Sequence, residues 1–131
     1  MTIKLTQRHN EARLAGSLAD LDLGPNKARL RIYGGVRPAN AATAPGSDML
    51  VEIELTKPSG TIAGGVLSLT QNANGLIVVT GQATWARFVN GNGDTCFDAD
   101  AGKGTGTWEV QLANDQLYAG GEARLVSAVL G

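Results

Sequence analysis

Ala28-Arg29-Leu30-Arg31-Ile32-Tyr33 carries the clearest structural signal in the chain, because its apolar and polar side chains alternate strictly. In an extended chain Ala28, Leu30 and Ile32 project to one face, and the residues between them project to the other. Gly34-Gly35 follows at once and ends the pattern. The stretch therefore predicts a β-strand with one face in a core and one face in water.

The same period of two recurs along the rest of the chain, interrupted by groups of turn-forming residues. Pro58-Ser59-Gly60 breaks the pattern once, and the segments 72–75 and 90–94 are rich in Asn and Gly, which tolerate positive φ. The continuous apolar run at 76–80 predicts a strand that is covered on both faces. Strands are predicted at 28–33, 49–55, 66–70, 76–80, 82–89, 95–99, 105–112 and 123–130. Short strands with a turn about every 8–12 residues predict an antiparallel β-sandwich over 27–131, jelly-roll-like or immunoglobulin-like.

The N-terminal segment has a different period. Leu14, Leu18 and Leu21 recur at helical spacing, Thr6 is a suitable N-cap, and a glycine–proline pair stands just beyond. This pattern predicts one amphipathic helix over residues 6–22. A helix of this length is marginal by itself in water, so it must dock, either on its own domain or on a neighbouring subunit.

Length and composition are typical of a single mainly β domain spanning residues 1–131. Eighteen glycines among 131 residues, without a Gly-X-Y period, are typical of many turns between short strands. Eleven Lys and Arg balance twelve Asp and Glu, so the chain lacks the basic patch of a nucleic-acid-binding protein. No apolar run is long enough to span a bilayer, and neither a signal-peptide pattern nor a cysteine pair is present. We expect no nucleic acid and no membrane as partners, and synthesis in a reducing cytoplasm.

Residues that could carry catalysis are few and widely separated. His9 lies in the predicted helix and Cys96 in a distant strand, so they form no local nucleophile–base pair. The glycine-rich stretch 101–107 lacks the spacing of a phosphate-binding loop or a dinucleotide fingerprint. Asp98 and Asp100 would share one strand face, and a hydrolase that used them would need a concave site holding both. We therefore expect a non-enzymatic domain with no catalytic residue and no cofactor.

One polar cluster resembles the start of a calcium loop, with oxygen-bearing side chains at alternate positions. Its glycine stands at the fourth position instead of the sixth, and no Glu closes the loop at the twelfth. Turn chemistry explains the Asn-Gly content without a metal, so calcium is the less favoured interpretation. The cluster comprises Asn90, Asn92, Asp94, Asp98 and Asp100.

Trp85 and Trp108 leave two interpretations open. They could form a platform on which sugars stack, as in a carbohydrate-binding β-domain. In a chain with only six aromatic residues, two tryptophans in predicted strands are also the natural anchors of a core. Exposed indoles would favour binding, and buried indoles would favour a structural role.

The order of the motifs resembles a group of small proteins encoded among the virion structural genes of tailed phages and prophages. The resemblance covers about residues 6–130. After the N-terminal helix come the stretch from Arg29 to Arg37-Pro38, an Ala-rich loop, Leu50-Val-Glu-Ile-Glu-Leu, Gly81-Gln-Ala-Thr-Trp85-Ala-Arg87-Phe88 and Phe97-Asp98-Ala-Asp100-Ala-Gly102.

The resemblance implies a non-enzymatic structural protein of the virion, made in the bacterial host cytoplasm. It would be a head decoration (cement) or tail-associated subunit, whose partners are further copies of itself and other virion proteins. The alternative is a receptor- or carbohydrate-binding module of a phage tail. The helix and the loop 36–48 are best suited to intersubunit contacts, and the candidate interface residues are Leu14, Leu18, Leu21, Arg37 and Pro38.

Overall fold

One N-terminal helix precedes eleven strands in the computed structural model, which describes residues 3–131. The predicted mainly β architecture with one N-terminal helix is therefore confirmed. The helix α1 spans Gln7–Leu21, and the strands are β1 Arg29–Tyr33, β2 Met49–Ala63, β3 Val66–Gln71, β4 Gly75–Leu76, β5 Gly81–Gln82, β6 Trp85–Val89, β7 Thr95–Lys103, β8 Val110–Leu112, β9 Gln116–Leu117, β10 Glu122–Ala123 and β11 Leu125–Leu130.

Seven of these strands close into a barrel in the order β1-β2-β3-β11-β8-β7-β6. Neighbours are antiparallel except β7 and β8, and the ring closes where β6 pairs with β1. The remaining strands form two short ribbons, β4 with β10 and β5 with β9. This ring replaces the predicted sandwich. Because β1 pairs with both β2 and β6, hydrogen bonding continues around the core instead of dividing into two stacked sheets.

β2 is longer than the pattern predicts, because it continues through the expected break at Pro58-Ser59-Gly60. Its register against β3 shifts between Leu55 and Gly60, so a bulge accommodates the proline outside the regular ladder. The backbone N–H and hydroxyl of Ser59 both donate to Asp22 Oδ1, at 2.9 and 2.7 Å. The bulge is thereby tied to the end of the helix.

The interior of the barrel is built from the alternate side chains that define β1. Leu30 pairs in register with Ile53 on one side and with Phe88 on the other, and all three are fully buried. Ile32 is also fully buried and faces Ala86 across the closing seam. The predicted core face of β1 is confirmed.

The helix docks on the barrel of its own chain, which is one of the two alternatives that the sequence left open. Leu14 and Leu21 are buried in the common core, and Leu18 packs against it. Thr6 caps the first turn by accepting a hydrogen bond from the His9 N–H at 3.2 Å, as the sequence predicts. Within residues 3–131 no helix is both long and apolar enough to cross a membrane.

Two predicted strands are much shorter in the structure. The run 76–80 was expected to be covered on both faces, yet Leu76 and Val78 are 62% and 56% exposed while Ile77 between them is buried. The run forms one wall of a ribbon whose outer face is uncovered. The predicted strand 105–112 is reduced to β8, because residues 104–109 form the tight return between the parallel strands β7 and β8.

Replacing Leu21 by Ala tests whether the docked helix belongs to this domain. Because Leu21 is fully buried, we expect the free energy of unfolding in denaturant to fall by about 2–5 kcal/mol. Leu23→Ala is the matched control, since Leu23 is 51% exposed and its truncation should change stability by less than about 0.5 kcal/mol. Equal effects of the two substitutions would contradict docking in cis.

Candidate functional sites

A buried ion pair lies on the outer face of the barrel wall. Arg87 on β6 and Asp98 on β7 are register partners, and their side chains are each 6% exposed. The guanidinium donates twice, from Nε to Oδ1 at 2.7 Å and from Nη2 to Oδ2 at 3.0 Å. This hydrogen bonding and the charge of Asp98 raise the pKa of Arg87. The pair is a fully engaged bidentate contact, which leaves neither group free for chemistry.

Trp85 stands next to this ion pair and is fully buried. Its ring stacks on Tyr33 with centroids 4.4 Å apart and planes 14° apart, and the Arg87 guanidinium lies 5.4 Å from the ring centroid. The indole Nε1 donates to the carbonyl of Gly34 at 3.1 Å. Of the two interpretations of Trp85, the buried anchor therefore agrees with the structure.

The loop 36–48 is held next to Trp85 by an exposed ion pair and by the Ser47 hydroxyl, which donates at 2.9 Å to the backbone just before the loop. Arg37 lies 3.6 Å from Asp100, which is the register partner of Trp85 on β7. Their side chains are 43% and 51% exposed, so the contact contributes little to stability. The loop itself has no helix or strand, as predicted.

Trp108 organises the glycine-rich stretch 101–107. Its indole occupies the space where side chains of Gly102 and Gly106 would lie, and its Nε1 donates to the Gly104 carbonyl at 2.9 Å. Gly104 has a φ of 65°, which favours glycine. The glycines therefore serve the return from β7 to β8, and Trp108 is half-buried against them.

The first part of the predicted calcium cluster is a closed turn. Asn90 is 4% exposed, and its Oδ1 accepts from the backbone N–H groups of Asn92 and Asp94, each at 3.0 Å. The side-chain oxygen that would bind a cation is thus used by the turn itself.

The second part of the cluster lies apart on β7. Asp98 is bound to Arg87, and Asp100 faces solvent beside Arg37. In residues 3–131 no group of three or more His, Cys, Asp or Glu side chains is placed to hold a metal ion. Among the described residues the five side chains are therefore divided between the turn and β7 instead of forming one site.

Most of the helix part of the candidate interface is covered by the chain itself. Leu14 and Leu21 are buried and cannot meet another subunit while the helix stays docked, which corrects the prediction for these two leucines. Leu18 is only partly buried, and its contact with another subunit stays a prediction. Arg37 and Pro38 remain accessible on the loop, exposed and half-exposed respectively.

One surface was missed by sequence reasoning. The two short ribbons are formed by the same two segments, 75–82 and 116–123, which we treat from here on as one ribbon. Three large side chains on it are exposed: Leu76 by 62%, Val78 by 56% and Tyr118 by 65%. We call these three side chains the ribbon patch. A continuous apolar run gives no indication of which face remains uncovered, so the sequence offered no sign of it.

Cys96 lines an open groove of about 470 Å³ between the helix and the barrel, together with Arg13, Asp20 and Phe97. Burial, reinforced by a hydrogen bond and the charge of Asp20, raises the pKa of Cys96 to about 12. The thiol is therefore neutral at ordinary pH and a poor nucleophile. His9 is exposed and does not line the groove.

Comparisons with known proteins assign no family to the chain. No family model matches it, and no curated protein or solved structure matches it either. The functional proposal therefore depends on the sequence and on the geometry described above.

Replacing Asp98 by Ala leaves the buried Arg87 charge without a partner. We expect the free energy of unfolding to fall by about 3–5 kcal/mol, measured by denaturant titration. Asp100→Ala, two residues along the same strand, removes only an exposed pair and should cost about 1 kcal/mol or less. A small loss for Asp98→Ala would show that the pair is not desolvated.

The raised pKa of Cys96 makes a second prediction. Between pH 7 and 10 a free thiol reacts faster with iodoacetamide as it ionises, whereas the folded protein should stay slow because its thiol remains protonated. Unfolding in guanidinium should restore the ordinary rate and its pH dependence. A native thiol that titrates like a free cysteine would contradict the desolvation of Cys96 in the groove.

Proposed function

We propose that this protein is a non-enzymatic structural subunit of a tailed-phage virion, either a head decoration protein or a tail-associated subunit. It acts through contacts with further copies of itself and with other virion proteins. The observation that carries the proposal is a contrast on the surface: the side chains that could do chemistry are paired, protonated or far apart, while large apolar side chains are left exposed. The sequence resemblance to virion proteins supports the same role.

The contrast begins with the groups that could do chemistry. Asp98 is held by Arg87 on a barrel wall, and the Cys96 thiol has a raised pKa. His9 lies on the exposed first turn of the helix, away from the groove that Cys96 lines. An enzyme of this size would bring such groups together in one concave site. This arrangement favours a protein that works by its surface.

The alternative, a receptor- or carbohydrate-binding module, requires an open aromatic platform. Trp85 is enclosed by Tyr33, Arg87 and the backbone of Gly34, so it offers no free face. Trp108 lies over glycine backbone, and Tyr118 is a single exposed ring. A structural role therefore fits the aromatic residues better than sugar stacking does.

Apolar side chains remain accessible on the ribbon patch, and the Ala-rich loop 36–48 lies elsewhere on the surface. Large exposed apolar groups are typical of contact surfaces. A net charge of −1 produces little repulsion between copies, which suits dense packing on a particle. The closed barrel supplies a rigid body on which such contacts can repeat.

The proposal is tested on particles produced by the phage or prophage that encodes this chain. After density-gradient purification, quantitative mass spectrometry should find the protein in many copies per particle, at a fixed ratio to the major capsid protein. An abundant non-structural protein of the same phage is the control and should be depleted from the particles. If the chain is depleted together with that control, the virion role is wrong.

A further inference from the structure

We propose that the ribbon patch is a self-association surface, through which two copies of this chain meet about a two-fold axis. The inference deepens the proposed function and rests on it, because it names the contact by which one subunit would recognise another. It assigns the contact to a surface different from the helix and the loop 36–48.

The patch has a defined backbone support. Residues 75–82 run antiparallel to 116–123, with Leu76 opposite Glu122 at one end and Gly81 opposite Leu117 at the other. Between these ends the Ile77 N–H donates to the Gly121 carbonyl at 2.9 Å, and the Ile77 carbonyl accepts from the Gly120 N–H at 2.9 Å. The patch therefore projects from hydrogen-bonded backbone.

The pleat of the ribbon directs alternate side chains to its buried face and to its exposed face. Ile77 is 4% exposed and anchors the ribbon in the core, whereas its neighbours Leu76 and Val78 project outward. Tyr118 stands at the start of the turn in which the Gly121 N–H donates to the Tyr118 carbonyl. Two exposed aliphatic side chains and an exposed tyrosine on one ribbon have the composition of the centre of a protein interface.

The charges beside the patch indicate that the partner is a second copy. Glu122 shares the outer face with Leu76, and Arg124 follows two residues later, with the buried Ala123 between them. Among residues 3–131, neither Glu122 nor Arg124 forms an ion pair, and Glu122 accepts one long hydrogen bond from the Asn74 side chain at 3.4 Å. One acidic and one basic group beside the same apolar patch make that surface complementary to itself.

About a two-fold axis the same charge contact is made twice, once in each direction. In such an interface residue i of one copy meets residue j of the other, and j meets i. Glu122 of each copy can therefore face Arg124 of the other while the apolar side chains meet at the centre. A standard interface buries about 800 Å² on each partner, so the flanking residues of the ribbon must contribute area beyond the three side chains.

The loop 36–48 lacks this combination. Val36 is 91% exposed, but the adjacent charge, Arg37, is already paired with Asp100. Val36 therefore provides a control of the same residue type on the surface that the sequence had favoured.

Light scattering behind a sizing column tests the inference on the full chain. The wild type should show a mass that rises with concentration to that of a dimer. Val78→Asp should weaken dimerisation by about tenfold or more, because a carboxylate would be buried without a partner. Val36→Asp should dimerise like the wild type. Both substituted side chains are exposed, so circular dichroism and unfolding should match the wild type.

Charge exchange provides the second arm of the test. Glu122→Arg and Arg124→Glu should each weaken the dimer, because each creates like charges across the axis, and the double variant should restore it. A wild type that stays monomeric at every concentration overturns the inference, as does dimer loss in Val36→Asp in place of Val78→Asp. A monomer that is nevertheless abundant in purified particles would refute only the self-association surface, and the virion role would stand.

Discussion

The closing seam between β1 and β6 sets both the interior packing of the barrel and the charges on its outer wall. Its register places Leu30 opposite Phe88 inside the barrel and Arg31 opposite Arg87 outside. Two like charges directly opposite each other destabilise a pair of strands. The outer neighbours correct this, because Glu52 on β2 binds Arg31 at 2.9 Å and Asp98 on β7 binds Arg87 at 2.7 Å. The ring can close because a carboxylate stands on each side of the two arginines.

This requirement explains why the most suggestive polar residues carry no site. Asp98 is needed to neutralise Arg87, and Arg87 in turn lies over the enclosed ring of Trp85. Asn90 completes the turn that joins β6 to β7 by accepting two backbone N–H groups. Asp98 and Asn90, the buried members of the cluster that resembled a ligand set, therefore hold the wall together. The chemistry of this face serves the fold.

Local patterns predicted the elements whose structure depends on near neighbours. The alternation around Leu30, the cap at Thr6 and the irregular loop 36–48 all agree with the structure. The predictions fail where contacts between distant segments of the chain determine the local structure. Pro58 was expected to end a strand, but a bulge tied to the helix end by Ser59 accommodates it. No local period encodes such a contact across 37 residues.

The pairing of distant strands likewise determines which residues meet at the candidate sites. The Arg87–Asp98 pair depends on the register of β6 and β7, and the position of Trp108 depends on how the glycines turn back between parallel strands. The sequence could supply the residue types and the turn chemistry of 90–94. It could not supply the closure of the ring, which separates a barrel from a sandwich with the same strands.

Closure also limits how this protein can meet a partner. A sandwich has edge strands that can pair with another chain, and an assembly subunit could use them for strand addition. Around the seven-strand ring each strand already has a neighbour on both sides, which leaves no free edge strand for another chain to extend. Side chains on the outer faces are then the groups best placed to make contacts. Of those faces, the one bordered by β1, β6 and β7 is occupied by its own ion pairs and by the enclosed Trp85. The ribbon has a hydrogen-bonded backbone and uncovered apolar side chains, which is the combination that a rigid barrel needs for a specific contact.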